Sequence, residues 1–262
     1  MCIAVFRWAP QSDSPLRFIA NRDEFFERPT AAMHWWPGGH VLAGRDLKNS
    51  GTWLGVTKGG RFAALTNIRN LQLRKTGARS RGELASNFLS TDTSVADYLG
   101  ALAECTDCYE GFNLLCGDLL PSEGHAPSLW FLNSQIGEPQ SLRSGVYGLS
   151  NATLDTPWPK VERLRLRFAA LVETMDASAT DFHSRSEQLL RDEAHASEAD
   201  LPTTGVPRDW ERALSAIFIR QGGYGTRAST TLSVSSRQVS MREVTHAPNS
   251  EQSSCAEFKF SA

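Results

Sequence analysis

Alternation of apolar and polar positions dominates the first part of the chain. "CIAVFRW" (2–8) and "LRFIANR" (16–22) carry the two-residue period of half-buried strands, and the turn-rich "APQSDSP" between them predicts a hairpin. "MHWWPGGHVLAGRD" is dense in Gly and Trp and reads as a loop over the sheet. "TWLGVT" (52–57) and "RFAALTN" (61–67) then flank "KGG", a hairpin signal. The period lengthens in "SRGELASNFLS" and "SVADYLGALAEC", where three- and four-residue apolar spacing predicts two helices, the second capped by Thr93 or Ser94.

Strands are predicted again at 111–119, 128–133 and 145–151, and helices at 158–175, 179–195 and 209–219. "TRASTTLSVSS", "QVSMREVTH" and "CAEFKFS" finish the chain as an antiparallel meander. The most linker-like stretch, "HASEADLPTTGVP" (195–207), is too short to divide domains, so residues 1–262 are read as one domain. Strands grouped into hairpins, with helices between the groups, predict an α+β fold of two packed antiparallel sheets with helices outside.

Composition narrows the class. Of 262 residues, 40% are hydrophobic and 21% charged, which suits a sizeable core. The formal net charge of -2 creates no field toward nucleic acid or an anionic membrane. No apolar run approaches the ~18 residues of a membrane span. Arg7 interrupts the first apolar segment, against a signal peptide, so a soluble cytoplasmic protein is expected. Cysteines stand at Cys2, Cys105, Cys108, Cys116 and Cys255, an odd number expected to be reduced. "CTDC" has metal-ligand spacing, but no second pair completes a zinc site, and Tyr109 stands where haem attachment needs His.

Cys2 carries the chemistry. Aminopeptidase removal of Met1 would leave a residue with both a thiol and a free α-amine, able to act as nucleophile and its own general base. Ordinary values of about 7.7–8.0 for the amine and 8.5 for the thiol make proton exchange between them nearly balanced. "NRDE" (21–24) ends the second strand, so Arg22 falls near Cys2 in a hairpin, with Asp23 or Glu24 to hold its guanidinium.

"MCIAVFRW", "ANRDEFFERPT", "GTWLGVTKGGRFAALTNIR", "SRGELASNFL", "GFNLL", "YGLSNATLDTPWPK" and "GYGTR" occur in this order, and the chain resembles the NRDE family from Met1 to about Arg227. This is the transport and Golgi organisation protein 2 group. The resemblance implies a four-layer αββα N-terminal-nucleophile hydrolase fold and a non-peptide amide hydrolase site. Its residues would be Cys2, Arg22, Asp23, Asn67, Asn151 and Arg227, working without metal or other cofactor. In the cysteine hydrolases of that superfamily the Asp stands three residues after the Arg; here Asp23 follows Arg22 directly. Strand neighbours face opposite ways, so the two are not expected on one face. The family also implies an alternative, a non-catalytic carrier of haem or acyl-CoA. For a flat ligand of that kind Trp35, Trp36, His34 and His40 are the candidate contacts, and the Cys2 thiolate a further iron ligand. The expected partner is thus a small molecule: an N-acyl compound, haem or acyl-CoA.

Overall fold

The computed structural model describes residues 2–71, 78–121, 126–174, 179–236, 238–248 and 253–261. Strands β1 (Cys2–Trp8) and β2 (Leu16–Phe25) form the first hairpin. A meander follows: β3 (Thr30–Trp35), β4 (Val41–Asp46), β5 (Leu54–Thr57) and β6 (Arg61–Asn67). Helices α1 (Gly82–Leu89) and α2 (Val95–Ala103) separate it from β7 (Phe112–Asp118), β8 (Ser128–Asn133) and the short β9 (Gln140–Ser141). Next come β10 (Gly145–Leu149), α3 (Pro159–Glu173), α4 (Ala179–Leu190) and α5 (Arg208–Ala213). The chain closes with β11 (Arg220–Gln221), β12 (Tyr224–Val234), β13 (Gln238–His246) and β14 (Ser253–Ser261).

Two antiparallel sheets result. One has the order β10-β1-β2-β12-β13-β14 with β11 on β12; the other runs β3 to β9 in sequence. Alternation along β1 explains the layers. Ala4, Phe6 and Trp8 point into the space between the sheets with Phe18, Phe62, Phe131 and Leu232. Ile3 and Val5 point the other way, onto Val161, Leu164 and Phe168 of α3. On the far side, Ala63, Leu65 and Leu114 of the second sheet bury Leu84 and Phe88 of α1 and Leu99 of α2. The order is therefore helices, sheet, sheet, helices, the αββα arrangement that the resemblance implied. Ser94 caps α2 as predicted, accepting from the Asp97 backbone N–H at 3.1 Å.

Three elements differ from their sequence-based expectations. Helix α4 ends at Leu190 where 179–195 was predicted, since Asp192 Oδ1 turns the chain by accepting from the Ala194 backbone N–H at 2.8 Å. "MHWWPGGHVLAGRD" is the end of β3, a turn and β4 rather than a loop. Gly38 and Gly39, at φ 94° and 69°, make the reversal, and Val41, Leu42 and Ala43 are buried behind it. Helix α5 stops at Ala213, whereas 209–219 was predicted. Its continuation, Leu214 to Ile219, is apolar apart from Ser215 and is buried as irregular chain. The Asn21 amide holds it by donating to the carbonyls of Ile217 at 2.9 Å and Leu190 at 2.8 Å.

Candidate active site

The β1–β2 register sets Cys2 directly opposite Arg22. Both have the parity of Ala4 and Phe18, so both face the gap between the sheets, at its open end. Arg22 is only 7% exposed, and its guanidinium lies 4.1 Å from the centroid of Trp53. That contact is a cation–π platform in a desolvated setting. Arg22 Nη1 has no hydrogen-bond partner among the described residues. Trp53 reaches this position because β4 has glycine at 44; a Cβ there would come within 2.4 Å of two Trp53 ring carbons.

Asp23 faces the opposite side of β2, toward α3, as strand alternation requires. It is 1% exposed and accepts a 2.7 Å hydrogen bond from Thr226 Oγ1 on β12. The strand still contributes both residues to one cavity, because that cavity opens where β2 ends. Burial pushes the Cys2 thiol up, and the Asp23 carboxylate adds to the rise. The Arg22 guanidinium and a hydrogen bond from the Asp23 backbone N–H oppose it. Burial likewise raises the Asp23 carboxyl, with the Lys160 ammonium and the Thr226 hydroxyl pulling it down.

Asn67 ends β6 and lines the same cavity. Asn151 is buried behind it: its Nδ2 donates to the Asn67 carbonyl at 2.9 Å, and its own carbonyl accepts from Arg69 N at 2.8 Å. Ser150 Oγ reaches the Cys2 carbonyl at 2.9 Å. The chain after β10 thus ties the start of β1 to the end of β6. Asn151 acts on backbone, away from the cavity wall. Arg227 is also elsewhere. It sits at the β12 bulge between Thr226 and Ala228, where Nη1 donates to the carbonyls of Phe25 and Arg28 and holds the turn after β2. Of the six residues implied by the resemblance, the fold brings Cys2, Arg22, Asp23 and Asn67 to the cavity, and uses Asn151 and Arg227 to brace its rim.

The cavity has two lobes. The polar one, about 440 Å³, contains Cys2, Arg22, Asn67 and Arg79. The second, about 550 Å³, is walled by Ile68, Leu71, Val206, Trp210 and Leu214. Glu24, Arg28, Asn67, Arg81 and Glu110 border both. Arg81 is fixed there by its pairing with Glu110 at 3.3 Å and with the Gly111 carbonyl at 3.1 Å.

The aromatic and histidine group expected to hold a flat ligand is dispersed. Trp35 packs on Phe258 and Phe260 of β14, whereas Trp36 turns to the α1–α2 side, its Nε1 donating to the Ala43 carbonyl at 3.2 Å. Adjacent in the chain at the end of β3, they pack against different cores and cannot sandwich one ligand. His34 Nδ1 lies 2.7 Å from the Ala32 carbonyl, and His40 is exposed. None of the four lines either lobe. Among the described residues no cluster of three or more His, Cys, Asp or Glu is arranged to hold a metal ion. Cys105 and Cys108 are free thiols around a single 3₁₀ turn.

Sequence reasoning missed Trp53, Arg81 and Lys160. Lys160 left a faint signal: it follows Pro159 in the first turn of α3, where the helix dipole disfavours a cation. Trp53 and Arg81 left none, since only the sandwich brings them to β1.

Cys2 thus begins β1 at the mouth between two helix-flanked antiparallel sheets, the four-layer arrangement that the family resemblance implied. The family model described as Transport and Golgi organisation 2 matches residues 1–248, and the chain belongs to that family. The Transport and Golgi organization protein 2 homolog of Homo sapiens is 36% identical over 249 residues, covering 89% of this chain and 88% of the human one. Among solved structures, an N-acylethanolamine-hydrolyzing acid amidase ortholog of Caenorhabditis elegans aligns over 88% of this chain and 92% of its own, with 9% identity and a TM-score of 0.47. A conjugated bile acid hydrolase from Clostridium perfringens aligns over 100% and 96%, with 8% identity and a TM-score of 0.48.

Proposed function

We propose that the chain is a cytoplasmic hydrolase of non-peptide carbon–nitrogen bonds, cleaving an N-acyl amide by acyl transfer through Cys2. The observation that carries this reading is the placement of Cys2 across β1–β2 from a buried guanidinium with an unspent N–H, at a cavity large enough for a small molecule. With Met1 removed, the α-amine of Cys2 takes the thiol proton as sulfur attacks the amide carbon. The carbonyl π electrons move to oxygen, and the Arg22 and Asn67 donors meet that negative charge. Collapse re-forms the carbonyl and breaks the C–N bond, and the ammonium returns the proton to the departing amine. Water, deprotonated by the same α-amine, then hydrolyses the thioester, releasing the carboxylic acid and restoring the thiol. The apolar lobe takes the acyl part, and the polar lobe takes the amine part.

The test is a panel of N-acyl substrates of increasing chain length against the processed protein and its Cys2→Ala variant. Product release is expected with the parent, and a loss of about six orders of magnitude, to the limit of detection, with the variant. Release unaffected by Cys2→Ala, or absent across the panel, overturns the reading.

A second reading is binding without turnover, and the size of the apolar lobe favours it. Acyl-CoA would place its chain there, and haem would stand as transported cargo with the Cys2 thiolate as iron ligand. Tight binding of either by a protein that releases no product from the panel would select this reading. For haem, a changed Soret band in Cys2→Ala would show the thiolate as ligand.

A further inference from the structure

The chemistry above leaves one buried charge unused. Lys160 is 2% exposed, and its Nζ has no hydrogen-bond partner among the described residues. It lies in the first turn of α3, where unpaired helix N–H groups repel a cation. Burying an ammonium in such a place is costly and calls for a reason. The charged and titratable groups around it come from four directions: Asp23 on β2, Cys2 on β1, Arg69 beyond β6 and Glu211 on α5. Arg69 and Glu211 pair with each other at 3.0 Å, so Asp23 is the counter-charge left for Lys160.

The strand register brings a third group to Asp23. Cys2 pairs with Arg22 in an antiparallel hairpin, so the backbone nitrogen of Cys2 leads toward the position opposite Asp23. Once Met1 is gone, that nitrogen is the α-amine. One Asp23 oxygen is engaged by Thr226. An amine that met Asp23 alone would stay protonated and could not act as a base.

We propose that Lys160 is a positioning residue for the Cys2 amine: by sharing the Asp23 carboxylate with it, Lys160 keeps the amine neutral and able to accept a proton. This rests on the amine-as-base reading above. Protonating the amine in the presence of Lys160 sets two ammonium groups around one carboxylate, with the Arg22 guanidinium on the neighbouring residue, and like charges lower each other's proton affinity. Burial holds Lys160 itself down to about 8, with Asp23 as the main group resisting the fall.

The experiment is an NMR titration of the processed protein labelled with ¹³C-cysteine, following the Cys2 Cα shift with pH and needing no substrate. In the parent the amine is expected to titrate below the ordinary range of about 7.7–8.0. In Lys160→Met, which keeps the volume and drops the charge, the midpoint is expected to rise by about one pH unit or more. A residue with a merely structural role would change the melting temperature without moving that midpoint. A parent amine that titrates at or above the ordinary range overturns the inference even if the variant fails to fold, and so does an unmoved midpoint in a folded variant. Turnover of the N-acyl panel by the parent is scored separately. Turnover with an unmoved midpoint refutes Lys160 and leaves the hydrolase standing; a shifted midpoint without turnover does the reverse.

Discussion

Two buried polar regions of the first sheet invite comparison, one around His183 and one around Cys2. His183 reaches from α4 onto the sheet, its Nδ1 2.6 Å from Thr231 Oγ1 and its Nε2 2.8 Å from Ser240 Oγ. Each ring nitrogen of the neutral imidazole has a hydroxyl partner, and the group is closed. At the other region, Arg22, Asp23 and Lys160 are buried too, yet Arg22 Nη1 and Lys160 Nζ have no hydrogen-bond partner among the described residues. The two hydroxyl contacts of His183 fix a helix to a sheet. The Arg22 donor borders the Cys2 cavity, where the proposed reaction would bring a negative charge, whereas Lys160 lies behind it beside Asp23.

The largest effect that separates the two regions is on turnover. Replacing Arg22 by Met removes the donor proposed to meet the oxyanion and is expected to lower kcat/KM by about 10²–10³ while leaving the fold intact. Arg22→Lys should restore little of it, because an ammonium does not stack flat on Trp53 as the guanidinium does. Steady-state kinetics on both variants checks this.

His183 should show itself through stability and its pH dependence. Burial lowers its pKa to about 4 from an unfolded value near 6.5. The folded protein thus resists protonation. Its contribution is full above about pH 6.5 and falls as pH drops toward 4, by roughly 3 kcal/mol in all. Urea unfolding of the parent and of His183→Gln between pH 4 and 7 should give a steeper acid loss in the parent.

A smaller effect tests the support of the guanidinium. Gly44→Ala drives a methyl into Trp53 and should cost about 1–3 kcal/mol, with reduced turnover as Arg22 loses its platform. Equal melting temperatures and equal kcat/KM would show that Trp53 does not position Arg22.

The sequence was most informative where period and turn chemistry agree. The β1–β2 hairpin, the "KGG" reversal and the four-layer order follow from alternation and helix spacing. Alternation also separated Arg22 from Asp23 correctly. What it could not supply was the geometry of the strand end, where opposite faces reach a common cavity. The β3–β4 hairpin was obscured because bulky Trp and flexible Gly, placed side by side, resemble a loop while the buried Val41–Ala43 run has no alternation. Arg227 turned away from the site because of a bulge, which depends on β2–β12 pairing more than two hundred residues apart in the chain. Lys160 was concealed in the same manner: the carboxylate that answers it, Asp23, lies on a strand far earlier in the chain.

The central claim, that Cys2 is a nucleophile at the head of the processed chain, is tested most directly by acid-quenched mass spectrometry during turnover of an N-acyl substrate. The account predicts a protein lacking Met1 whose Cys2 peptide is heavier by the mass of the acyl group as a thioester, labile to hydroxylamine. A retained Met1, or a Cys2 peptide that stays unmodified while substrate is consumed, would contradict it.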